Sequence, residues 1–289
     1  MYFSRLVSLN LIRLYVLAFS LSFFAYLPSE VRAEDYSAST ALDESSARAL
    51  IKKFRDASPS TAYYLEFTLN QIPRHGDTTR IPGHLWATRN ERGNVWRIEI
   101  NPGKPNERRF LVQNGVDPAV WYWDPKGMAQ TAQKIGLMTP LFPGSEASAF
   151  DLQMPYLYWS DIKILGLSRM RGRPSYQFLF KAPSDFNSLP TQVSAVRAYL
   201  DTQYNAPVQT ELISNSGKIL KTLTLGDLKK VQGQWIPKTV DIRNENTRNK
   251  TQFEVISAAL SLDLSPWVFN PGDLNGPTQV PVESEITRF

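Results

Sequence analysis

The sequence has 289 residues, of which 42% are hydrophobic and none is cysteine, and its formal net charge is +5. The lack of cysteine excludes disulfides, thiol catalysis and lipid attachment at an N-terminal cysteine, so a secreted domain must be stable through its core alone. Basic and acidic residues alternate along the chain. The concentrated basic face that nucleic-acid binding requires is therefore excluded as well.

The first 33 residues have the pattern of a secretory signal peptide. Arg5 and Arg13 precede an apolar run over 14–27, and a small residue, Ala33, ends the segment. The apolar run of about 14 residues is shorter than the ~20 that span a bilayer, which favours cleavage over a membrane anchor. Removal of three arginines and Glu30 would leave a net charge of 5 − 2 = +3. We expect a location in the periplasm of a Gram-negative-type bacterium.

The mature chain begins with one predicted helix and continues with strands. Residues 42–54 carry apolar side chains at helical spacing, with Asp43 in position to cap the helix. Alternating runs then predict strands over 62–70, 85–89, 95–100, 108–113 and 120–123. In the third run Trp96 and Ile98 share one face, and Arg97 takes the other.

The middle of the chain, 128–159, interrupts the strands. It is apolar and contains Pro140, Pro143 and Pro155, which exclude one long helix. We predict short helices over 128–138 and 145–154, the second capped by Ser145. Few backbone contacts are expected to hold this segment, so it could act as a lid.

Strands resume over 162–169 and 176–181, and a meander of five runs follows between 195 and 261. The five runs are 195–201, 208–214, 218–230, 235–244 and 251–261. We expect this meander to be scaffold, with the selective residues in the strands before it. Residues 272–289 show little periodicity and predict a mobile tail after a single domain.

Catalytic and metal-binding patterns are not recognisable. The two histidines, His75 and His84, match no helical metal pair, and loop histidines are the simpler interpretation. The chain has neither a Gly-rich phosphate loop nor a Gly-x-Ser-x-Gly turn. We therefore expect no metal, no cofactor and no enzymatic activity, with a hydrolase as a remote alternative.

Aromatic residues are abundant in the first half of the chain. An ordinary core is the simplest explanation for any one of them. Together they exceed what a single thin sheet needs, and a curved sheet covered by short helices would enclose a pocket for an apolar ligand. The tryptophans of this half are Trp86, Trp96, Trp121, Trp123 and Trp159.

Several stretches between 150 and 269 resemble one known family. They include Asp151-Leu-Gln-Met-Pro-Tyr-Leu-Tyr-Trp, Arg171-Gly-Arg-Pro, Gly233-Gln-Trp-Ile-Pro-Lys and Thr247-Arg-Asn-Lys-Thr-Gln-Phe. Their order is similar to that of the outer-membrane lipoprotein-sorting proteins, relatives of the periplasmic lipoprotein carrier LolA. The likeness is weaker over 42–123.

The resemblance implies a mainly β (α+β) fold, an unclosed β-barrel whose strongly curved antiparallel sheet has short helices over its concave face. It assigns 34–271 to a carrier domain whose apolar cavity shields the acyl chains of lipoproteins, or of another lipid-bearing ligand, during outer-membrane sorting. The expected cavity and lid residues are Trp86, Trp96, Trp121, Trp123, Leu141, Phe142, Phe150, Met154 and Tyr158. Plain core packing is the alternative for the lid residues.

In the family, a strand arginine holds the lid helices by hydrogen bonds, and Arg97 is the candidate here. On the outer face of the sheet Arg97 would instead be a solvated charge. The implied partners are lipoprotein acyl chains or another lipid, an inner-membrane exporter and an outer-membrane acceptor, with the carrier a monomer. The alternative function is that of a non-catalytic envelope sensor or structural protein, which would use the same fold to bind a partner protein.

Overall fold

Antiparallel strand pairing builds most of the chain in the computed structural model, which describes residues 42–56, 61–127, 131–184, 186, 193–203 and 206–289. The expected signal peptide lies outside these residues. Helix α1 is Glu44–Asp56, helix α2 is Ala149–Gln153, and short 3-10 helices are Pro155–Tyr158, Pro266–Phe269, Pro271–Asp273 and Glu283–Glu285. The strands are β1 (Ala62–Ile72), β2 (Thr79–Asn90), β3 (Gly93–Ile100), β4 (Arg108–Gln113), β5 (Ala119–Trp123), β6 (Gln133–Ile135), β7 (Ile162–Met170), β8 (Arg173–Lys181), β9 (Val193–Asp201), β10 (Pro207–Ser214), β11 (Ile219–Leu225), β12 (Leu228–Val231), β13 (Gln234–Pro237), β14 (Thr239–Asn244), β15 (Lys250–Leu262) and β16 (Thr287–Arg288).

One large sheet contains every described strand except β12 and β13. Its order is β6-β5-β4-β3-β2-β1-β15-β14-β11-β10-β9-β8-β7, and β16 adds to β15. Strands β6 and β7 end this order without pairing to each other, so the curved sheet is not closed. The predicted mainly β, unclosed antiparallel architecture is confirmed. Among the described helices, none is long and apolar enough to cross a bilayer.

The pairing register divides the side chains of β1–β5 between two faces. Directly paired residues point to the same side, so each cross-strand row belongs to one face. The row on what we call the inner face is Leu65, Leu85, Ile98, Phe110 and Tyr122. The row on the outer face is Tyr64, Trp86, Arg97, Leu111 and Trp121.

Irregularities in the ladder accompany the curvature of the sheet. The register of β1 against β15 shifts between Glu66 and Phe67, and that of β7 against β8 shifts next to Gly166, which has φ 112°. Such shifts bend a strand and increase its twist. At the centre of the sheet Phe67 is fully buried over Gly83 and stacks on Phe253, with ring centroids 4.4 Å apart.

We expect Gly83→Ala to destabilise the protein by about 1–3 kcal/mol, because the added methyl group overpacks the core. A Cβ at this position would lie 2.3 Å from Cζ of Phe67, whose ring is fully buried and stacked on Phe253. The midpoint of denaturant unfolding measures the change. Gly136→Ala is the control, since the nearest atom there is Thr139 Oγ1 at 3.7 Å. Equal midpoints for the two variants would contradict the close approach.

Helix α1 and the segment 137–159 cover the inner face. Asp43 caps α1 as predicted, accepting a hydrogen bond from the Ser46 backbone N–H at 2.8 Å. The helix predicted over 128–138 is wrong in its described part, because Gln133–Ile135 pairs with β5 as β6. The second helix is shorter than predicted and begins after Ser148, whose N–H and hydroxyl both donate to Asp151.

Residues 264–289, here called the C-terminal segment, pack on the outer face of β1–β5. Leu274 is fully buried, the Thr278 N–H donates to Glu99, and β16 pairs with β15. These contacts contradict the prediction of a mobile tail over 272–289. Its sequence lacks periodicity because the sheet binds it largely through backbone groups, which leave no hydrophobic repeat.

The meander contains a break that the sequence analysis did not predict. The runs 218–230 and 235–244 each divide in two, because β11 pairs with β14 whereas β12 and β13 form a separate hairpin. The division occurs where the Gly226 N–H bonds to the Thr239 carbonyl. A Cβ on Gly226 would lie 2.1 Å from Thr239 Oγ1, so only glycine permits this approach.

Candidate functional site

A large cavity lies on the inner face of the sheet. Its volume is about 1190 Å³, and 22 of its 33 lining residues are aliphatic or aromatic residues, methionine or proline. This volume exceeds the ~300–1,000 Å³ of most small-molecule pockets. The lining residues are Phe54, Arg55, Tyr63, Leu65, Leu85, Asn94, Trp96, Asn114, Asp151, Leu152, Gln153, Met154, Leu157, Tyr158, Arg171, Arg173, Asp201, Ala206, Pro207, Val208, Leu223, Leu225, Gly226, Asp227, Leu228, Gln234, Trp235, Ile236, Pro237, Val240, Phe253, Val255 and Leu260.

The exposed lining residues locate the opening of the cavity. They come from only two places, the β7–β8 turn and the stretch 226–237 that contains the β12–β13 hairpin. We call this rim the mouth. The exposed lining residues are Arg171, Arg173, Gly226, Asp227, Gln234, Trp235 and Pro237.

The meander supplies much of the apolar wall. Leu223, Val240 and Phe253 come from three adjacent strands, β11, β14 and β15, and all line the cavity. Leu223 is 4% exposed and Phe253 6% exposed, so these side chains belong to a packed wall rather than to a solvated surface. The expectation that the meander is only scaffold is therefore corrected, because its alternate side chains form the cavity surface.

Polar groups meet the cavity near the β3–β4 side. The Asn114 side chain donates to the Gln153 carbonyl at 2.6 Å, which ties the 137–159 segment to the end of β4. The Arg55 guanidinium lies 4.6 Å from the centroid of the Tyr158 ring. Burial raises the pKa of Tyr158, with Arg55 opposing this shift, so the phenol stays neutral at physiological pH.

Three of the predicted site residues, Trp96, Met154 and Tyr158, line the cavity. They come from three different elements. Trp96 lies on β3, Met154 follows α2 with φ 50°, and Tyr158 ends the next 3-10 helix. The left-handed backbone at Met154 turns the chain between the two helices and directs both toward the same space.

The other predicted lid residues belong to the core. Leu141 is fully buried, Phe142 is 9% exposed and Phe150 is 3% exposed, and none of them lines the cavity. Their segment is also firmly held. Lys221 donates to the Glu146 carbonyl at 2.8 Å and to the Asp151 carboxylate at 2.9 Å. The expectation of a loosely held lid is corrected by these cross-links.

Trp86, Trp121 and Trp123 lie on the outer face, away from the cavity. Trp86 is fully buried against Tyr64 and Val268, and Trp121 and Trp123 pack in the cluster of Leu274. Their assignment to the apolar cavity is therefore corrected. The register accounts for it: Trp96 faces inward opposite Ala87, so the neighbouring Trp86 must face outward.

Arg97 is also on the outer face, but it is fully buried rather than solvated. Its guanidinium donates to the backbone carbonyls of Asp273, at 3.2 Å, and Gly276, and it pairs with Glu99 at 3.2 Å. Burial lowers the pKa of Arg97, and Glu99 opposes that shift. Arg97 thus holds a segment by hydrogen bonds to carbonyls, as expected, but the segment is the C-terminal one and not the inner-face helices.

A neighbouring arginine repeats this arrangement. Arg109 pairs with Glu107 at 2.5 Å, donates to the Leu274 carbonyl at 3.4 Å and also donates to the Asn275 carbonyl. Its guanidinium lies 4.6 Å from the centroid of a Trp123 ring. Guanidinium groups present several donors in a fixed plane and therefore suit the simultaneous binding of neighbouring carbonyls.

Neither histidine lies in the cavity lining. His75 is exposed, and His84 packs between the rings of Tyr64 and Trp86, each 5.7 Å away, where burial lowers its pKa. Within the described ranges no group of three or more histidine, aspartate and glutamate residues could hold a metal ion. The described residues that do line the cavity are mostly apolar.

Trp235 was not predicted to line the cavity, yet it is exposed at the mouth. The sequence signal was present, because Gln232-Gly233 is a two-residue turn between runs with high strand propensity. Trp235-Ile-Pro counted only toward the family resemblance, within a meander expected to be scaffold, and the three-dimensional position of the hairpin is what brings Trp235 to the mouth.

A family model described as "-like: Uncharacterized protein" matches residues 98–275, which is 178 of the 289 residues. The chain belongs to this family. The match covers β4 through β15 and includes the cavity wall formed by the meander. No curated protein matches the chain.

Solved structures show the fold to be LolA-like. A domain described as an outer membrane lipoprotein-sorting protein domain, from Vibrio parahaemolyticus, has a TM-score of 0.68 at 18% identity, with 80% of this chain and 97% of that chain covered. A DUF1329 family protein from Desulfovibrio piger has a TM-score of 0.67 at 16% identity, with coverages of 80% and 98%. A LolA superfamily protein from Nitrosomonas europaea has a TM-score of 0.61 at 13% identity, with coverages of 80% and 98%.

Proposed function

We propose that this protein is a non-enzymatic carrier that shields the acyl chains of a lipid-bearing ligand in the inner-face cavity. The cavity itself is the observation that carries the proposal. With a volume of 1190 Å³ and about 30 Å³ for a group the size of a water or a methylene, it offers space for about forty such groups. That volume is about the volume of two acyl chains of ordinary length.

The gain from enclosure is large compared with thermal energy. Each methylene removed from water is worth about 0.8 kcal/mol, so a single long chain gains more than 10 kcal/mol in an apolar cavity. The apolar walls supply this enclosure from both halves of the sheet, through Leu85 and Trp96 on one side and Leu223 and Val240 on the other. Such a cavity needs no catalytic group to perform its task.

The proposal has further parts. The cargo is a lipoprotein, which the carrier transfers from an inner-membrane exporter to an outer-membrane acceptor. The carrier acts as a monomer and is located in the periplasm. The signal-peptide pattern supports the location, and the LolA-like fold supports the type of cargo. The domain boundaries 34 and 271 belong to the proposal as well, with the C-terminal segment packed on the domain.

We expect the full chain, when purified from a bacterial envelope under mild conditions, to contain bound lipid. Organic extraction followed by mass spectrometry should detect about one acylated molecule per chain, and an anthroyloxy-labelled fatty acid should bind saturably to delipidated protein. Bovine serum albumin, delipidated and reloaded in parallel, provides the positive control. A chain that contains no lipid and does not bind the probe contradicts the carrier role. It would favour the alternative, a sensor or structural protein that binds a protein partner.

A further inference from the structure

We propose that the mouth of the cavity docks on an anionic phospholipid bilayer through Trp235, Lys229 and Lys230. This inference rests on the proposed carrier role, because docking would place the opening of the cavity at the membrane surface from which a lipid enters. The evidence for it differs from that for the carrier role, because it concerns the exposed groups of the β12–β13 hairpin rather than the volume of the cavity.

Trp235 is the most exposed aromatic side chain among the described residues, at 62% exposure. It lines the cavity and is exposed at the same time, so its ring lies at the opening. Exposure of a tryptophan costs free energy in water, whereas at a membrane interface the apolar ring and the indole N–H are both accommodated. This position therefore suits a lipid surface better than bulk solvent.

One lysine of the hairpin, Lys230, stands beside the indole, and a second, Lys229, precedes it in β12. Lys230 pairs directly with Trp235 across the two strands, and its Nζ lies 5.9 Å from the ring centroid. Lys229 pairs with Ile236 and is exposed on the other face of the same hairpin. Lysine beside tryptophan on one short hairpin is the combination that binds acidic headgroups with the ammonium groups while the ring enters the interface.

The other charged residues around the mouth are also mostly basic. Arg171 and Arg173 border the opening from the β7–β8 turn, and Arg173 pairs with Asp201 at 3.4 Å. Asp227 is the acidic residue of the mouth, and Asp201, which also lines the cavity, is buried. With Lys229 and Lys230 added, four basic residues face two acidic ones, which leaves an excess of two positive charges around the opening.

The hairpin is anchored well enough to present these groups. Val231 is 2% exposed and Ile236 is 8% exposed, and both pack in the main core. The Lys238 N–H donates to the Asp227 carbonyl at 2.7 Å and closes the base of the hairpin. Lys230 and Trp235 therefore project from a hairpin that is held in place by the core. When these two side chains bind a membrane, the mouth faces the bilayer.

Flotation with vesicles tests the proposal. We expect the purified chain to bind vesicles of 30% phosphatidylglycerol in phosphatidylcholine, and to bind pure phosphatidylcholine at least tenfold more weakly. Each lysine near an acidic surface contributes roughly fivefold, so Lys229→Gln/Lys230→Gln should weaken binding about 25-fold. The matched control is Lys52→Gln/Lys53→Gln on α1, which removes the same charge from two other exposed positions.

Quenching by brominated acyl chains identifies the residue that enters the bilayer. Vesicle-dependent quenching of tryptophan fluorescence should be largely lost in Trp235→Phe and retained in Trp267→Phe, a control at a residue 43% exposed on the outer face. Binding to neutral and acidic vesicles alike, or equal binding of the two lysine variants, would overturn the proposal. The fatty-acid probe separates this outcome from failure of the carrier role, because Lys229 and Lys230 do not line the cavity and their replacement should leave probe affinity unchanged.

Discussion

Replacement of Arg97 by methionine is expected to lower the free energy of unfolding by about 3–5 kcal/mol, because it leaves the buried Glu99 carboxylate without its partner. Arg97 is fully buried, and its side chain also binds carbonyls of the C-terminal segment. Denaturant unfolding measures the loss. Hydrogen exchange should show faster exchange over 265–289 than in the parent protein, because the segment loses its hydrogen-bond donors.

Two further variants make this prediction specific. Arg80→Met alters an exposed arginine of β2 and should change stability by less than about 0.5 kcal/mol. Arg97→Met/Glu99→Met removes both charges and should recover part of the loss, since an apolar pair replaces an unpaired carboxylate. If Arg97→Met has the unfolding midpoint of the parent protein and the hydrogen-exchange protection of 265–289 is unchanged, the hydrogen bonds from Arg97 to the C-terminal segment contribute nothing to stability.

Filling the cavity is expected to weaken ligand binding about a hundredfold without unfolding the protein. Val240→Trp on β14 extends an indole into the empty space instead of into packed core. Exclusion of about four methylene groups from the wall corresponds to about 3 kcal/mol, or roughly a hundredfold in Kd. Titration with the anthroyloxy-labelled fatty acid measures this change.

Val116→Trp is the matched control, since Val116 is 87% exposed in the β4–β5 turn and does not line the cavity. It introduces the same side chain on the surface and should leave the affinity for the probe unaltered. Circular dichroism and unfolding midpoints establish that both variants are folded. Parent-like affinity in Val240→Trp would mean that the probe binds elsewhere, and would remove the cavity from the proposed function.

The alternation of side chains was sufficient to predict most of the strands. Trp96 and Ile98 were placed on one face and Arg97 on the other, and the structure confirms this division. Alternation has a fixed period of two, so it specifies which residues share a face once a strand is assigned. The curved, unclosed sheet also followed from the family resemblance.

Alternation did not specify which face borders the cavity. In β2 and β5 both faces are buried, one by the core and one by the C-terminal segment, so Trp86 and Trp121 look as apolar in sequence as true cavity residues. When a sheet is covered on both sides, the sequences of its strands are hydrophobic at nearly every position. The cover on the outer face binds through backbone carbonyls, which leave no pattern in its sequence, and this made the wrong assignment unavoidable.

The β12–β13 hairpin was hidden for a different reason. Its strands continue the apolar and basic character of β11 and β14, and a single glycine, Gly226, marks the separation. The need for glycine arises from Thr239, which is thirteen positions away in sequence but directly adjacent in space. Contacts of this kind are set by tertiary structure and cannot be deduced from local propensity.

Recognition of the C-terminal segment by Arg97 and Arg109 has a consequence for variation. The two guanidinium groups bind carbonyl oxygens of Asp273, Leu274, Asn275 and Gly276, which every amino acid provides. Most side chains between 271 and 279 are therefore free to change, whereas the number of residues between the buried Val268 and Leu274 is not, because an insertion there would move each carbonyl out of reach of its donor. The contacts therefore constrain the spacing of this part of the chain more than the identity of its side chains.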